Sequence, residues 1–289
     1  MIFFYSFSIA KSVALFLLAV IAGHAFAQEV IPDFYRDPGL SPNRDYVNQS
    51  FNEHIDPFTG ALQQHYVDLH IPGNGGFDLK VVRSYNSASV DPLNPAVSES
   101  LAGVGWTVHF GRVLKTKQST ICTDQNAQSV VDNPVLELQD GSRQLLAFTG
   151  TTAPLMLTPQ RWRADCATGG ASGLIVRSPD GVRYDMTQLV NVGSGVAPVY
   201  AWYTTKITDR NGNHATIAYA AGASPEITGV SASDGRSIIF GYADSGLTSR
   251  RITSITGAGQ TYSYGYTAVP SVTGEYFLTS VTRPGGTRW

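Results

Sequence analysis

The stretch Ile207-Thr208-Asp209-Arg210-Asn211-Gly212-Asn213-His214-Ala215-Thr216-Ile217-Ala218-Tyr219 opens a pattern that returns twice more in full and then begins again. Gly212, Gly235 and Gly259 are each followed seven residues later by a tyrosine, Tyr219, Tyr242 and Tyr266. Three and five residues after each glycine stand Ala215 and Ile217, Ile238 and Phe240, Tyr262 and Tyr264. Side chains two apart share one face of a strand, and glycine supplies the positive φ of a tight bend, so each copy is a turn feeding a half-buried strand. Ile207, Val230 and Val281 stand five residues before Gly212, Gly235 and Gly286 and mark the incoming strand, which makes the unit a β-hairpin. The glycines are spaced by 23, 24 and 27 residues, the period range of architectures whose units bury their faces by stacking on neighbours.

Working outward, the rest of the chain carries looser versions of the same unit. Leu136 and Leu138 lead into Asp140-Gly141 with Leu146 and Phe148 beyond, and Ile175-Val176 lead into Pro179-Asp180-Gly181 with Tyr184 and Met186 beyond. Earlier, Asp56-Pro57-Phe58-Thr59-Gly60 is a turn, a strand runs from Ala61 to Ile71, and Gly73 to Gly76 turns the chain into a strand lined by Phe77, Leu79, Val81 and Tyr85. Val104, Trp106, Val108 and Phe110 share a face of a further strand, with Gly111 marking a bulge or the close approach of another backbone. The expected fold is all-β: an irregular, sandwich-like hairpin module over 47–199, then stacked antiparallel hairpins over 200–289, with 28–46 an extended leader.

Composition agrees. Of 289 residues 29 are glycine and 15% are charged, which favours a turn-rich β protein, and a net charge of -2 offers no basic stripe for nucleic acid. Residues 1–27 read as a signal peptide: Lys11 precedes the apolar run 12–23, and Ala25-Phe26-Ala27 is a small-x-small cleavage pattern that makes Gln28 the mature N-terminus. The alternative is an uncleaved anchor, although the run is shorter than the ~20 residues a span needs. The mature chain is then expected outside the cytoplasm (secreted, periplasmic or on the cell surface), with no further span. In that compartment Cys122 and Cys166 form a candidate disulfide, the alternative being two buried thiols.

Candidate chemistry is sparse. Asp209 to Asn213 has the look of a calcium loop, but glycine falls at its fourth position and Ala220 stands where the bidentate glutamate belongs, so it reads as a turn. His65 and His70, five apart on one strand, are expected on opposite faces. No serine lies in a Gly-x-Ser-x-Gly elbow. Neither a catalytic set, a cofactor nor a metal is expected. The aromatic residues Tyr219, Phe240, Tyr242, Tyr262, Tyr264 and Tyr266 are either inter-hairpin packing or a sugar-stacking platform.

These residues resemble a known family. Ile207 through Tyr219, and Ser233-Asp234-Gly235-Arg236 through Tyr242, are similar to the RHS or YD repeats of large secreted and surface proteins. The series Asp56 to Gly60, Pro72 to Leu79, Ser84 to Ser87 and Gly103 to Trp106 resembles the module that precedes such repeats. The resemblance implies a hairpin array coiling into a hollow shell around a C-terminal, toxin-like cargo, with the downstream repeats and that cargo as partners. The Tyr-Asp pair itself is not kept, and Trp289 matches Ala215 and Tyr262, so the chain reads as ending inside a repeat whose turn is Gly286. Residues 270–289 are then an open edge. The expected role is an exported structural scaffold; the rivals are a surface adhesion or carbohydrate-binding module with glycans as partners, and a hydrolase.

Overall fold

A computed structural model describes residues 53–55, 61–87, 90, 101–116, 121–122, 133–149, 156–167, 173–193, 198–243, 251–270, 272 and 274–288, all within the unit Pro42–Trp289. The expected signal peptide with its cleavage site at Ala27 and Gln28, the expected leader, the expected turn at Asp56 to Gly60, and Trp289 lie outside them. The fold is all-β, an irregular amino-terminal sheet followed by a long run of antiparallel hairpins.

Four strands make the first sheet in the order β1 (Glu53–Ile55), β2 (Leu62–Ile71), β3 (Leu79–Asn86), β4 (Trp106–Val108). Leu79, Val81, Arg83 and Tyr85 line one of its faces by alternation, joined across the register by Leu69 and Ile71 of β2 and by Trp106 and Val108 of β4. The chain then leaves this sheet at His109 to Gly111 and enters the second.

The second sheet has 15 strands. They are β5 (Arg112–Thr116), β6 (Val135–Glu137), β7 (Arg143–Leu145), β8 (Ala147–Phe148), β9 (Met156–Leu157), β10 (Arg163–Cys166), β11 (Leu174–Arg177), β12 (Arg183–Asn191), β13 (Val199–Thr208), β14 (His214–Tyr219), β15 (Ile227–Ala232), β16 (Ser237–Ala243), β17 (Arg251–Gly257), β18 (Gln260–Ala268) and β19 (Tyr276–Thr282). Consecutive strands pair from β8 to β19, and β13 forks. Its first half, Val199–Tyr203, pairs with β5, while Lys206–Thr208 pairs with β14. Because β5 pairs β6 and β6 pairs β7, and a single residue, Leu146, joins β7 to β8, strands β5–β13 run round a circuit. Val113, Leu136, Leu146, Met156, Trp162, Ala164, Leu174, Val176, Met186 and Trp202 fill it as one core.

Strands β13–β18 are the three hairpins expected from the sequence (β13–β14, β15–β16 and β17–β18), and β19 leads into the fourth bend. Ala215, Ile217, Ile227, Val230, Ile238, Phe240, Ile252, Ile255, Tyr264 and Val281 point to one side and pack on Leu69, Ile71, Leu79, Val81, Val108 and Phe110 of the first sheet. Fully burying such a side chain contributes about 1.5–3 kcal/mol, so this interface is a core in its own right. The sheet runs without a break through position 199, from β12 into β13.

The edge expected to be open at 270–289 is partly closed. The Val104 N–H donates to the Tyr276 carbonyl at 2.8 Å, so the segment before β4 covers the start of β19. At its other end Thr282 bridges Arg288, whose guanidinium donates to Ser280 Oγ at 2.9 Å.

Candidate functional site: tyrosine bolts and buried ion clusters

Six bends share one hydrogen-bond pattern: 138–142, 158–162, 178–182, 209–213, 232–236 and 283–287. In each, the first N–H donates to the fifth carbonyl and the fourth N–H to the first carbonyl. The fourth residue has positive φ, and it is Gly141, Gly181, Gly212, Gly235 or Gly286 in five of them but Arg161 (φ 67°) in the other. Glycine pays no Cβ penalty in this left-handed region. Side-chain oxygens of Thr158, Ser178 and Asp209 add a bond from the fifth N–H, at 3.1, 2.9 and 2.9 Å. Gly259 departs from the set, because it shares a two-residue bend with Ala258 between paired Gly257 and Gln260, both central residues at positive φ.

The repeat tyrosines do something the sequence does not announce. Tyr219 Oη donates to the Thr204 carbonyl at 2.7 Å, Tyr242 Oη to Ile227 at 3.0 Å, and Tyr266 Oη to Ile252 at 2.8 Å. Within each hairpin the ladder covers its turn end alone: β13–β14 pairs through 206–208, β15–β16 through 229–231, β17–β18 through 254–257. Where the strands splay, the acceptor carbonyl loses its ladder partner and the phenol replaces it. A register shift immediately before each tyrosine, after Ala218, Gly241 and Gly265, turns the ring toward that gap. Beyond the shifts Tyr219 stands opposite Ile227 and Tyr242 opposite Ile252, the residues whose carbonyls accept the next unit's phenol. Each bolt therefore closes the open end of its own hairpin, and the ladder sets each tyrosine against the strand that opens the next one. Burial pushes all three phenols above the usual tyrosine range.

Two ion clusters tie the amino-terminal strands to this array. In β2 a register shift between Val67 and Leu69 makes Asp68 the extra residue and aims it at the interface. Its carboxylate accepts from Arg83 Nε at 3.0 Å and Nη2 at 3.2 Å, and from Tyr264 Oη at 2.6 Å. The Arg83 guanidinium lies 4.4 Å from the Trp106 ring centroid and 5.2 Å from that of Tyr66. Burial, reinforced by Asp68, raises the Tyr264 phenol well above its ordinary range. Arg236, at the end of the bend at Gly235, donates to the carbonyls of Ile71 at 2.8 Å and Phe77 at 2.7 Å.

The second cluster holds the crossover from β4 to β5. Glu137 accepts from His109 Nε2 and Arg112 Nη2, both at 2.9 Å, and from Arg143 Nε at 2.7 Å. His109 Nδ1 accepts the Gly111 N–H at 3.0 Å, which fixes the proton on Nε2. The Gly111 carbonyl in turn takes the Thr204 N–H at 3.1 Å and Oγ1 at 2.8 Å. Burial alone would raise the Glu137 carboxyl; Arg112, His109 and Arg143 hold it well below the usual carboxylate range. Buried and saturated with donors, Glu137 cannot serve as an acid or base toward a solute.

The remaining candidates fall into place around these. Cys122 and Cys166 are joined in a disulfide that ties the excursion after β5 to β10. Asp209 spends its carboxylate on the N–H groups of Asn211 and Asn213 and on Asn213 Nδ2, which lowers its pKa and leaves a turn. Among the described residues no three His, Cys, Asp or Glu side chains gather to hold a metal. The expectation for His65 and His70 is corrected: the shift at Asp68 changes their parity, and they pair with Ser84 and Lys80, which share a face of β3. Four strand residues still separate them by about 13 Å. The aromatic stripe faces the interface. Tyr264 is 8% exposed, Phe240 is buried, the phenols of Tyr219, Tyr242 and Tyr266 are spent on carbonyls, and the partly buried Tyr262 packs against the same core. Sequence reasoning missed Asp68, Arg83, His109, Arg112 and Glu137 as a group, since each looks like an isolated charge in a strand.

Comparisons with known proteins give the following. A family model described as a domain of unknown function, DUF6531, matches residues 52–131. No curated protein matches. Among solved structures, the N-terminal domain of the effector protein SpvB from Salmonella typhimurium strain LT2 is similar at 11% identity and a TM-score of 0.44, over 75% of this chain and 98% of that one. A TcdB2-TccC3-Cdc42 structure is similar at 11% identity and a TM-score of 0.45, over 78% of this chain and 15% of that one. For TcdB2-TccC3 the values are 12%, 0.45, 79% and 16%. The chain thus spans a small part of the length of the latter two. Among the described residues no helix is long and apolar enough to cross a membrane.

Proposed function

We propose that the chain is an exported, non-enzymatic β scaffold, the amino-terminal part of an RHS/YD-type shell that encases or presents a C-terminal cargo. The tyrosine ladder is the observation that carries this reading. Each hairpin closes its open end with its own tyrosine, and that tyrosine stands opposite the strand that opens the next hairpin, so the array grows by adding hairpins. Leu278 stands opposite Tyr266 as Ile252 stands opposite Tyr242, and its carbonyl is the next acceptor. After the bend at Gly286, Arg288 already bridges Thr282, the first contact of a further strand. The carbohydrate-binding rival loses support because its stripe packs against the first sheet, with Phe240 and Tyr264 buried.

The experiment is to append two hairpin units after Trp289, each keeping the Gly-x6-Tyr spacing. Under this reading the unfolding midpoint rises and the added units resist protease. Unchanged stability with rapid cleavage of the added segment overturns it. Encasement is tested separately, by protease protection of whatever segment follows the hairpins in the full-length polypeptide.

A further inference from the structure

A short segment of the amino-terminal module lies across the splayed ends of the last units of the array. The Leu101 carbonyl accepts the Ile252 N–H of β17 at 2.7 Å, and three residues later the Val104 N–H donates to the Tyr276 carbonyl of β19 at 2.8 Å. Between them Ala102 is buried in the core that joins the two sheets, and Gly103 rests on Leu278. Gly103 has a φ of 96°, and a Cβ there would come within 2.9 Å of the Leu278 nitrogen and 3.2 Å of the Tyr276 oxygen, backbone atoms that cannot swing aside. The Trp106 N–H then donates to the Gly103 carbonyl at 2.9 Å and turns the chain into β4. The Arg251 guanidinium, 3.4 Å from the Tyr276 ring centroid and 5.8 Å from that of Tyr266, ties the start of β17 to the start of β19 at the same place.

These contacts fall where the hairpins leave room. Ile252 and Leu278 are equivalent positions, opposite Tyr242 and Tyr266. In the hairpin β17–β18 the ladder ends at Ser254, so at Ile252 the segment fills the gap that the splay opens. On β19 it holds the same place in advance, and its contacts stop at Leu278, short of Ser280, where the equivalent ladder begins. A hairpin that pairs at its turn end and then splays fits beside the segment, while a strand that pairs along the whole of β19 collides with it. Bare peptide groups at a sheet edge are a template for association. Phe277, between the two covered residues, is 44% exposed, so an uncovered β19 would offer a second copy both ladder groups and an aromatic side chain. We propose that residues 101–105 are an edge latch that, when shut, admits the array's own next hairpin and excludes β19 of a second copy of the chain. Admission rests on the function proposed above; exclusion does not, and exclusion alone is tested.

Gly103→Val sets a side chain against those backbone atoms and lifts the latch. The unaltered chain and the variant are compared by sedimentation velocity and by hydrogen exchange. The expected result is a monomeric parent and a self-associating variant, in which the Val104 and Ile252 amides lose protection by about tenfold or more while the β17–β18 ladder keeps its own. A variant that stays monomeric with those two amides unprotected, a variant in which they stay protected, or a parent that associates to the same extent overturns the latch. Should the variant fail to fold, native-state exchange of the unaltered chain decides. A latch opens as one unit, so Val104 and Ile252 should share one opening free energy, below that of the β17–β18 ladder. Two unrelated values, or an Ile252 amide that exchanges with its own ladder, refute it.

Discussion

Replacing Tyr242 by phenylalanine keeps the ring and removes one oxygen, so it isolates the bolt across the open end of one hairpin. The phenol reaches the Ile227 carbonyl at 3.0 Å, and Ile227 is 1% exposed. That carbonyl has no ladder partner on the same side, since β15–β16 pairing starts at Gly229, and it cannot turn to water. Orphaning a buried acceptor costs about 1–3 kcal/mol. For a domain of this size each kcal/mol moves the melting temperature by about 2–4 °C, so the expected loss is about 2–12 °C. Tyr219→Phe and Tyr266→Phe should match it, because Thr204 and Ile252 are as deeply buried. Tyr262→Phe, which removes no bolt, is the control. Urea unfolding followed by tryptophan fluorescence gives the free energies, and the slope with denaturant should not change. The same phenols give a second readout. Burial raises their folded pKa above the unfolded value of about 10, so the stability they supply is complete below that pH and is lost as pH rises through and beyond it. Alkaline unfolding should therefore steepen above about pH 10, and each phenylalanine variant should flatten it. Three variants within about 0.5 kcal/mol of the parent, with an unchanged alkaline slope, would refute the idea that the tyrosines fasten the splayed ends of the hairpins.

Other outcomes follow from the ion clusters and the bends. Asp68→Ala leaves the buried Arg83 guanidinium uncompensated and Tyr264 without its acceptor, and should cost about 3–5 kcal/mol in urea unfolding, enough to undock the first sheet. Glu137 has a depressed folded pKa, so its contribution is present above the unfolded value of about 4.3 and lost as pH falls below it; Glu137→Gln should lower stability at neutral pH and flatten the acid limb of a melting-temperature profile. Arg161→Gly should raise stability by about 0.5–1 kcal/mol, the left-handed penalty less the extra chain entropy of glycine. Reducing the Cys122–Cys166 bridge, which spans a sequence separation of 44, should cost about 4 kcal/mol in the chain-entropy model, read as a midpoint shift with and without reductant.

What the sequence made legible is what recurs at fixed spacing. The alternation after Gly212, Gly235 and Gly259 places β14, β16 and β18, because period two survives any tertiary detail. The bend at 158–162 escaped that reading for a physical reason: its left-handed residue is Arg161, so the glycine that flags its five siblings is missing, although Thr158-Pro159 matches Ser178-Pro179 at the equivalent place. Gly259 shows the converse, a matching glycine in a shorter bend.

The ion clusters were hidden more deeply, since pairing Asp68 with Arg83 and Tyr264 depends on a bulge and on a sheet docked from far along the chain. Yet one trace of the bulge was present. Gln64 and Tyr66 pair with Tyr85 and Arg83 while Leu69 and Ile71 pair with Val81 and Leu79, so both parities of β2 reach one face of the sheet, which takes an inserted residue. The inserted residue is therefore Val67, Asp68 or a neighbour, and the carboxylate among them must face either water or a cation. Arg83, sitting where the alternation of Leu79, Val81 and Tyr85 demands an apolar residue, is the cation that the parity argument calls for. An acid at a parity break and a base at an apolar position, on the two strands of one hairpin, thus meet because the inserted residue turns the acid to the face that holds the base.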